Sequence, residues 1–129
     1  MKTQIVKWCA LVIVLGAGLA QAQVPDPKLF TSLEIDFVSL DAEKFGGCKA
    51  RFNLDFGADA DIGVDNGGTC DKSELSFGCD GLQGHSKSVG NAMYANAQLA
   101  FVAEKQVNVR VNPAYVVNNI CVVTRLDVK

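Results

Sequence analysis

Histidine and tryptophan occur once each in the 129 residues, tyrosine twice and proline three times, and the charges nearly cancel to a formal −2. The basic excess that marks a nucleic-acid footprint is therefore missing. Charged residues make up 20% of the chain against 49% hydrophobic, which excludes a disordered polyampholyte. Three prolines and no glycine period leave no collagen-like repeat. No series of long apolar runs marks a multi-span membrane protein, and the length allows one core, not two. A single histidine also leaves little for metal or acid–base chemistry, and neither a Gly-x-Ser-x-Gly elbow nor a Cys-x-x-Cys pair occurs.

What is present begins with a leader. Lys2 and Lys7 precede an uncharged apolar run, residues 9–20, which ends in the small residues Ala20-Gln21-Ala22. The run is too short to span a bilayer, and the Ala-x-Ala ending predicts a secretory signal peptide, residues 1–22, cleaved before Gln23. Cys9 stands at the start of the run, where a lipoprotein would carry its cysteine at the end. Cleavage removes the only tryptophan and two lysines but no acid, so the mature chain is more acidic and has no membrane anchor. A secreted or periplasmic location follows. Pro25 and Pro27 mark residues 23–30 as a flexible arm ahead of one domain, residues 31–129.

Four cysteines remain, Cys48, Cys70, Cys79 and Cys121, an even number in an exported chain, which reads as two disulfides with three connectivities open. The periodicity is mostly of period two. Leu33, Ile35 and Phe37 describe one strand, Phe52, Leu54 and Phe56 a second, and Leu75 and Phe77 a short third. Val107, Val109 and Val111 describe a fourth, and Ile120, Val122, Leu126 and Val128 a fifth. Residues 88–105 instead carry apolar side chains near helical spacing in an Ala-rich stretch, with Ser88 as the expected N-cap. The order is β-β-β-α-β-β. Asp65-Asn66-Gly67-Gly68 predicts a tight turn between the second and third strands, Asn112-Pro113 the end of the fourth, and Asn118-Asn119 the connection to the fifth.

Parity narrows the disulfides. Cys48 extends the inward set Ala50, Phe52, Leu54, and Cys79 extends Leu75, Phe77, so both point inward at strand ends. Cys121 lies opposite Ile120 and Val122 in parity, within reach of a loop residue such as Cys70. Cys48 with Cys79 and Cys70 with Cys121 is the favoured pairing.

Phe52-Asn53-Leu54-Asp55, Cys70 before a short strand, the Ala-rich helix across residues 91–103, Lys105-Gln106-Val107-Asn108-Val109 and Cys121-Val122-Val123-Thr124-Arg125-Leu126 form an ordered pattern. In it the chain resembles small exported bacterial proteins similar to the B subunit of subtilase cytotoxin. The resemblance covers most of the mature chain and rests on order and pattern. It implies a small OB-like five-stranded barrel and, in the toxin subunits, a pentameric ring that binds host glycans. The junction Glu104-Lys105-Gln106 lacks the glycine often found there, and no sugar-contact motif is matched, so no binding residue is carried across.

Two clusters invite chemistry. Asp59, Asp61 and Asp65 lie in an acid-rich stretch whose spacing gathers oxygen ligands as a calcium site would, without matching an EF-hand loop. A solvated acidic loop with no cofactor is the favoured reading, and calcium the competing one. His85 has no spaced nucleophile or carboxylate partner and reads as an exposed loop residue, so no catalytic residue is expected. Asp59 and Asp61 leave no room for a glycosidase cleft in so small a domain. Arg51, Arg110 and Arg125 are spread over three strands, against a nucleic-acid groove.

The seven phenylalanines read mostly as core, which leaves Tyr94 and Tyr115 as the amphipathic rings. Tyr94 sits on the helix as packing. Tyr115, in the connection after Pro113, is the candidate ligand contact. Two functions stand: a non-catalytic exported binding module for a glycan or protein partner, forming a homo-oligomeric ring as toxin subunits do, or a monomeric structural or inhibitor-like protein whose acidic loop meets a cationic surface.

Overall fold

The computed structural model describes residues 26–41 and 43–129. The expected leader, residues 1–22, and the first residues of the arm lie outside them. The chain forms β1 (Lys28–Leu33), β2 (Ile35–Asp41), β3 (Gly47–Phe52), β4 (Glu74–Ser76), α1 (Lys87–Val102), β5 (Val107–Val117) and β6 (Ile120–Val128). The protein is thus mainly β with one long helix, as the periodicity predicts, but with six strands in place of five and the order β-β-β-β-α-β-β. The extra strand arises because residues 28–41 change partner at Glu34. Up to Leu33 they pair with β5, and from Ile35 they pair with β3. Residues 28–30, expected in the arm, belong to β1, where Lys28 stands opposite Val111 and Phe30 opposite Val109.

The six strands make one sheet in the order β1-β5-β6-β4-β3-β2. Its two end strands are consecutive in the chain and joined through Glu34 alone, so the sheet curls round until its ends meet at that corner. Neighbours are antiparallel except β4 and β6, which meet in parallel at Ser76 and Val122. Inward-facing Val107, Val109 and Val111 alternate with Asn108 and Arg110, and Cys48, Ala50 and Phe52 with Lys49 and Arg51, one face buried in each case. Phe56 anchors the interior, its ring edge-to-face with Phe30 and Phe52 at centroid distances of 5.1 and 5.8 Å.

Helix α1 packs Gly90, Met93, Tyr94, Ala97 and Ala100 against β2, β3 and β6. Gly90 permits the closest approach, since a Cβ there would stand 2.6 Å from the carbonyl oxygens of Phe77 and Gly78. The cap is Ser86, not Ser88: its hydroxyl accepts from the Val89 amide, and Ser88 only touches it, Oγ to Oγ at 3.0 Å. The helix stops at Val102, short of 105, because Glu104 turns to a φ of +54°, the left-handed position that usually follows a helix as glycine.

Three further expectations are corrected. Asn112-Pro113 does not end the fourth pattern. β5 runs on to Val117 through an irregularity between Asn112 and Val116, where a proline's missing amide costs no ladder bond. The segment from Asp65 to Gly68 is not a tight hairpin between strands. A single 3-10 turn, Val64–Asn66, closes on Gly67 at φ +84° inside the longer excursion between β3 and β4. Phe56 sits in another such turn, Phe56–Ala58, not on a strand. Asn118 and Asn119 do lead into the last strand, but because β5 continues to Val117 they form the whole connection, a two-residue hairpin at φ +47° and +68°.

The disulfides are Cys48–Cys79 and Cys70–Cys121, the pairing that parity favours, with Cα separations of 5.8 and 5.1 Å. The first ties the start of β3 to the chain beyond β4. The second pins the excursion to β6. Two bridges fit an oxidising compartment outside the cytoplasm. Among the described residues no helix is long and apolar enough to cross a membrane.

Candidate binding surface

Because Cys48, Ala50 and Phe52 face the core, Lys49 and Arg51 project from the outer face of β3. Arg51 stands opposite Glu74 on β4, and Lys49 opposite Ser76. The Glu74 carboxylate joins the two cations: Lys49 Nζ donates to Oε2 at 2.7 Å and Arg51 Nη2 to Oε1 at 2.8 Å. Burial pushes the Glu74 carboxyl up, but the hydrogen bonds from Lys49 and Arg51 outweigh it and hold its pKa below the ordinary value. Lys49 and Glu74 keep only 15% and 13% of their side-chain surface in solvent, whereas Arg51 keeps 54%. The guanidinium is therefore positioned at one end by Glu74 and left free to donate at the other.

Aromatic rings flank this fork. Lys49 Nζ lies 4.0 Å from the Phe45 ring centroid, and the Arg51 guanidinium carbon 5.8 Å from that of Phe37. Phe37 is 42% exposed, against the expectation of an inward ring. The reason is a register shift: Ile35 opposes Phe52, but Phe37 opposes Arg51, so two steps on β2 match one on β3 and the parity reverses. Phe101 on α1 is likewise exposed, which leaves Phe30, Phe52, Phe56 and Phe77 as the buried phenylalanines.

Beyond Phe45 the surface continues into a hollow of about 120 Å³ lined by residues 43–47, Asp80, Val117 and Asn118. Phe45 holds a φ of +54°, uncommon for a ring-bearing residue, and its carbonyl accepts from Ser76 Oγ at 2.7 Å. Asp41 Oδ1 accepts from the Glu43 and Lys44 amides at 3.2 Å each. The loop is thus fixed by its own polar groups. A charged fork held between two rings, next to a small polar hollow, can hydrogen-bond hydroxyls or carboxylates while a ring face packs on a ligand's apolar side.

The residues singled out from sequence lie elsewhere. Tyr115 is not in a loop: it lies within β5, its ring against the Gly84 backbone, so close that a Cβ at Gly84 would come within 2.4 Å of it. Tyr94 is packed beneath α1 with its ring 5.7 Å from Phe77, and burial raises its phenol pKa. His85 is tethered, with Nε2 3.1 Å from the Val123 carbonyl oxygen and Nδ1 3.3 Å from that of Ser86. Ser86 is spent on the helix cap.

The acidic stretch is only partly assembled. Lys28 Nζ donates to both Asp59 oxygens at 2.8 and 2.9 Å and to Asp61 Oδ2 at 2.6 Å, so an ammonium occupies the space between the two carboxylates. Burial pushes the Asp59 carboxyl up, and the hydrogen bonds from Lys28 and from the Asp61 and Ile62 amides overcome it, leaving the pKa lowered. The same bonds, to Asp59 first, raise the Lys28 pKa. Asp65 lies in the following turn, and among the described residues no three His, Cys, Asp or Glu side chains gather as a metal-holding group.

Sequence reasoning passed over Phe37, Phe45, Lys49 and Glu74. Lys49 was legible as the outward neighbour of Cys48, and Glu74 hid among seven acids of one stretch. Phe37 carried no signal, since its alternation pointed inward. Compared with known proteins, the chain matches no family model, no curated protein and no solved structure.

Proposed function

We propose that the chain is an exported, non-catalytic binding module of OB-like build, and that it holds a glycan on the outer face of β3 and β4 and in the adjoining hollow. Export is supported by the leader pattern and the two disulfides. The OB-like reading is supported by topology. Taken as one strand broken at Glu34, β1 and β2 reduce the sheet to five strands, with the helix between the third and fourth and a parallel contact between the third and fifth. In OB folds the face of the second and third strands and the loops after the first and fourth strands are the ligand surface. Here these are β3, β4, residues 43–46 and the Asn118-Asn119 turn.

The observation that carries the reading is the Lys49–Glu74–Arg51 fork between Phe45 and Phe37, which lies on that face. Oxidised protein beginning at Gln23, applied to a glycan array, is expected to retain a restricted set of glycans, and Arg51→Gln to lose them with its fold intact. Retention of nothing on the array, or equal retention by Arg51→Gln, overturns it. Native mass of the same sample separates a ring of copies from the monomer of the inhibitor-like alternative. That alternative is weakened by Lys28, which already neutralises part of the acidic loop it relies on.

A further inference from the structure

At the far end of α1 the protein carries a second surface with a different character. From Ser88 to Ala103 there is no charged residue, although Ala92, Ala95, Asn96, Leu99 and Val102 face solvent on one side of the helix. A surface helix ordinarily carries its charges there. Leu99 is 67% and Val102 81% exposed, and Phe101 is exposed beside them. The patch runs into a groove of about 530 Å³ between the helix end and the corner of the sheet. Ile35, Ala100, Phe101 and Val102 supply its apolar lining, and Glu34, Asp36, Glu104 and Lys105 its polar wall.

The groove's charge is lopsided. Three carboxylates face one ammonium, and among the described residues no ion pair reaches Glu34, Asp36 or Glu104. The last turn of α1 contains no basic residue, so the carbonyl end of the helix adds its partial negative charge to the three carboxylates, with Lys105 the one cation in the groove. Apolar side chains next to an uncompensated negative field complement a segment that pairs aliphatic residues with lysine or arginine. A second copy complements it less well: a two-fold contact between identical patches would bring two sets of these carboxylates into one interface.

We propose that the outer face of α1 and the groove at its C-terminal end dock a basic, aliphatic segment of a partner protein. The site adjoins the first surface along β2, where Asp36 precedes Phe37, but it uses none of Lys49, Arg51 and Glu74 and stands without them. The test uses oxidised, nitrogen-15-labelled protein and two short capped peptides, one alternating leucine with lysine and the other leucine with glutamate. The lysine peptide is expected to shift the amides of Ile35, Leu99, Phe101, Val102 and Lys105 saturably, while the glutamate peptide leaves them in place. Asp36→Asn with Glu104→Gln should weaken the lysine peptide by about five-fold, the scale of two solvent-screened charge contacts. Val102→Ser should weaken it without changing its dependence on salt. The proposal is overturned if neither peptide shifts these amides, if both shift them alike, or if they shift with protein concentration alone, which would assign the face to a second copy. Glycan retention through Arg51 is read separately and is unaffected by these outcomes.

Discussion

Replacing Lys28 with methionine keeps most of the side chain's length and apolar bulk but removes the ammonium that fastens β1 to the acidic excursion. The Asp61 contact is the weaker arm: its carboxylate is 69% exposed, and such a pair contributes about 0.2–0.5 kcal/mol after screening. Asp59 is 15% exposed and accepts two short bonds from Lys28. A hydrogen bond to a charged group is worth roughly 1.5–3 kcal/mol, and the lower end applies because the Asp61 and Ile62 amides still satisfy Asp59 Oδ1. Lys28→Met should therefore cost about 1.5–2 kcal/mol in urea unfolding at neutral pH.

The pH dependence has a definite sign. Asp59, with its pKa lowered on folding, stabilises the protein above the ordinary value of 3.8 and loses that contribution as pH falls through the lowered value. Lys28, with its pKa raised, contributes fully below 10.5 and loses its contribution as pH rises through the raised value. The gap between wild type and Lys28→Met should hold between about pH 5 and 9 and close on acidification below the range of free carboxylates. An Asp59→Asn partner variant should show coupling with Lys28→Met in a double-mutant cycle. A loss under about 0.3 kcal/mol, or a gap that stays constant into acid, would refute the clamp.

Removing Cys70–Cys121 by paired serine substitutions releases a sequence separation of 51 residues, and the chain-entropy relation gives a loss of about 4 kcal/mol, measurable as a fall in Tm or urea midpoint. Gly84→Ala sets a Cβ against the Tyr115 ring at a backbone φ of +78° and should cost about 2 kcal/mol. Tyr115→Ala combined with it should be less damaging than the sum of the single changes, whereas additive losses would show that the ring does not rest on Gly84. Tyr115→Ala alone should lower stability and leave glycan retention unchanged.

The parts of the fold legible in the sequence are those where one face of a strand is apolar without interruption. Val107, Val109 and Val111 announced β5, and the alternation through Cys48, Ala50 and Phe52 announced both β3 and the disulfide partner of Cys79. Side-chain parity is a local property, and it survives wherever the register is regular. It failed at the bulge between Ile35 and Phe37, which is set by how β2 lies on β3 and leaves the sequence alternation unchanged. It failed again at Pro113, whose usual role as a strand breaker is cancelled by an irregularity in the β5–β6 ladder. Lys28 was hidden by the two prolines before it, although Phe30 and Leu33 already supplied a buried face for β1. The candidate surface was harder still. Its members come from β2, β3, β4 and the loop before β3, and only the pairing register of three neighbouring strands brings Phe37, Lys49, Arg51 and Glu74 together.

The most direct test of the binding account is amide-shift mapping on the oxidised protein against a panel of sialylated, galactosylated and mannosylated oligosaccharides. The account predicts saturable shifts at Phe37, Phe45, Lys49, Arg51, Glu74 and Asn118 for at least one glycan, with the amides around Tyr115 and Asp59 unmoved. Shifts confined to Tyr115 or to the Asp59–Asp65 stretch, or none across the panel, would contradict it.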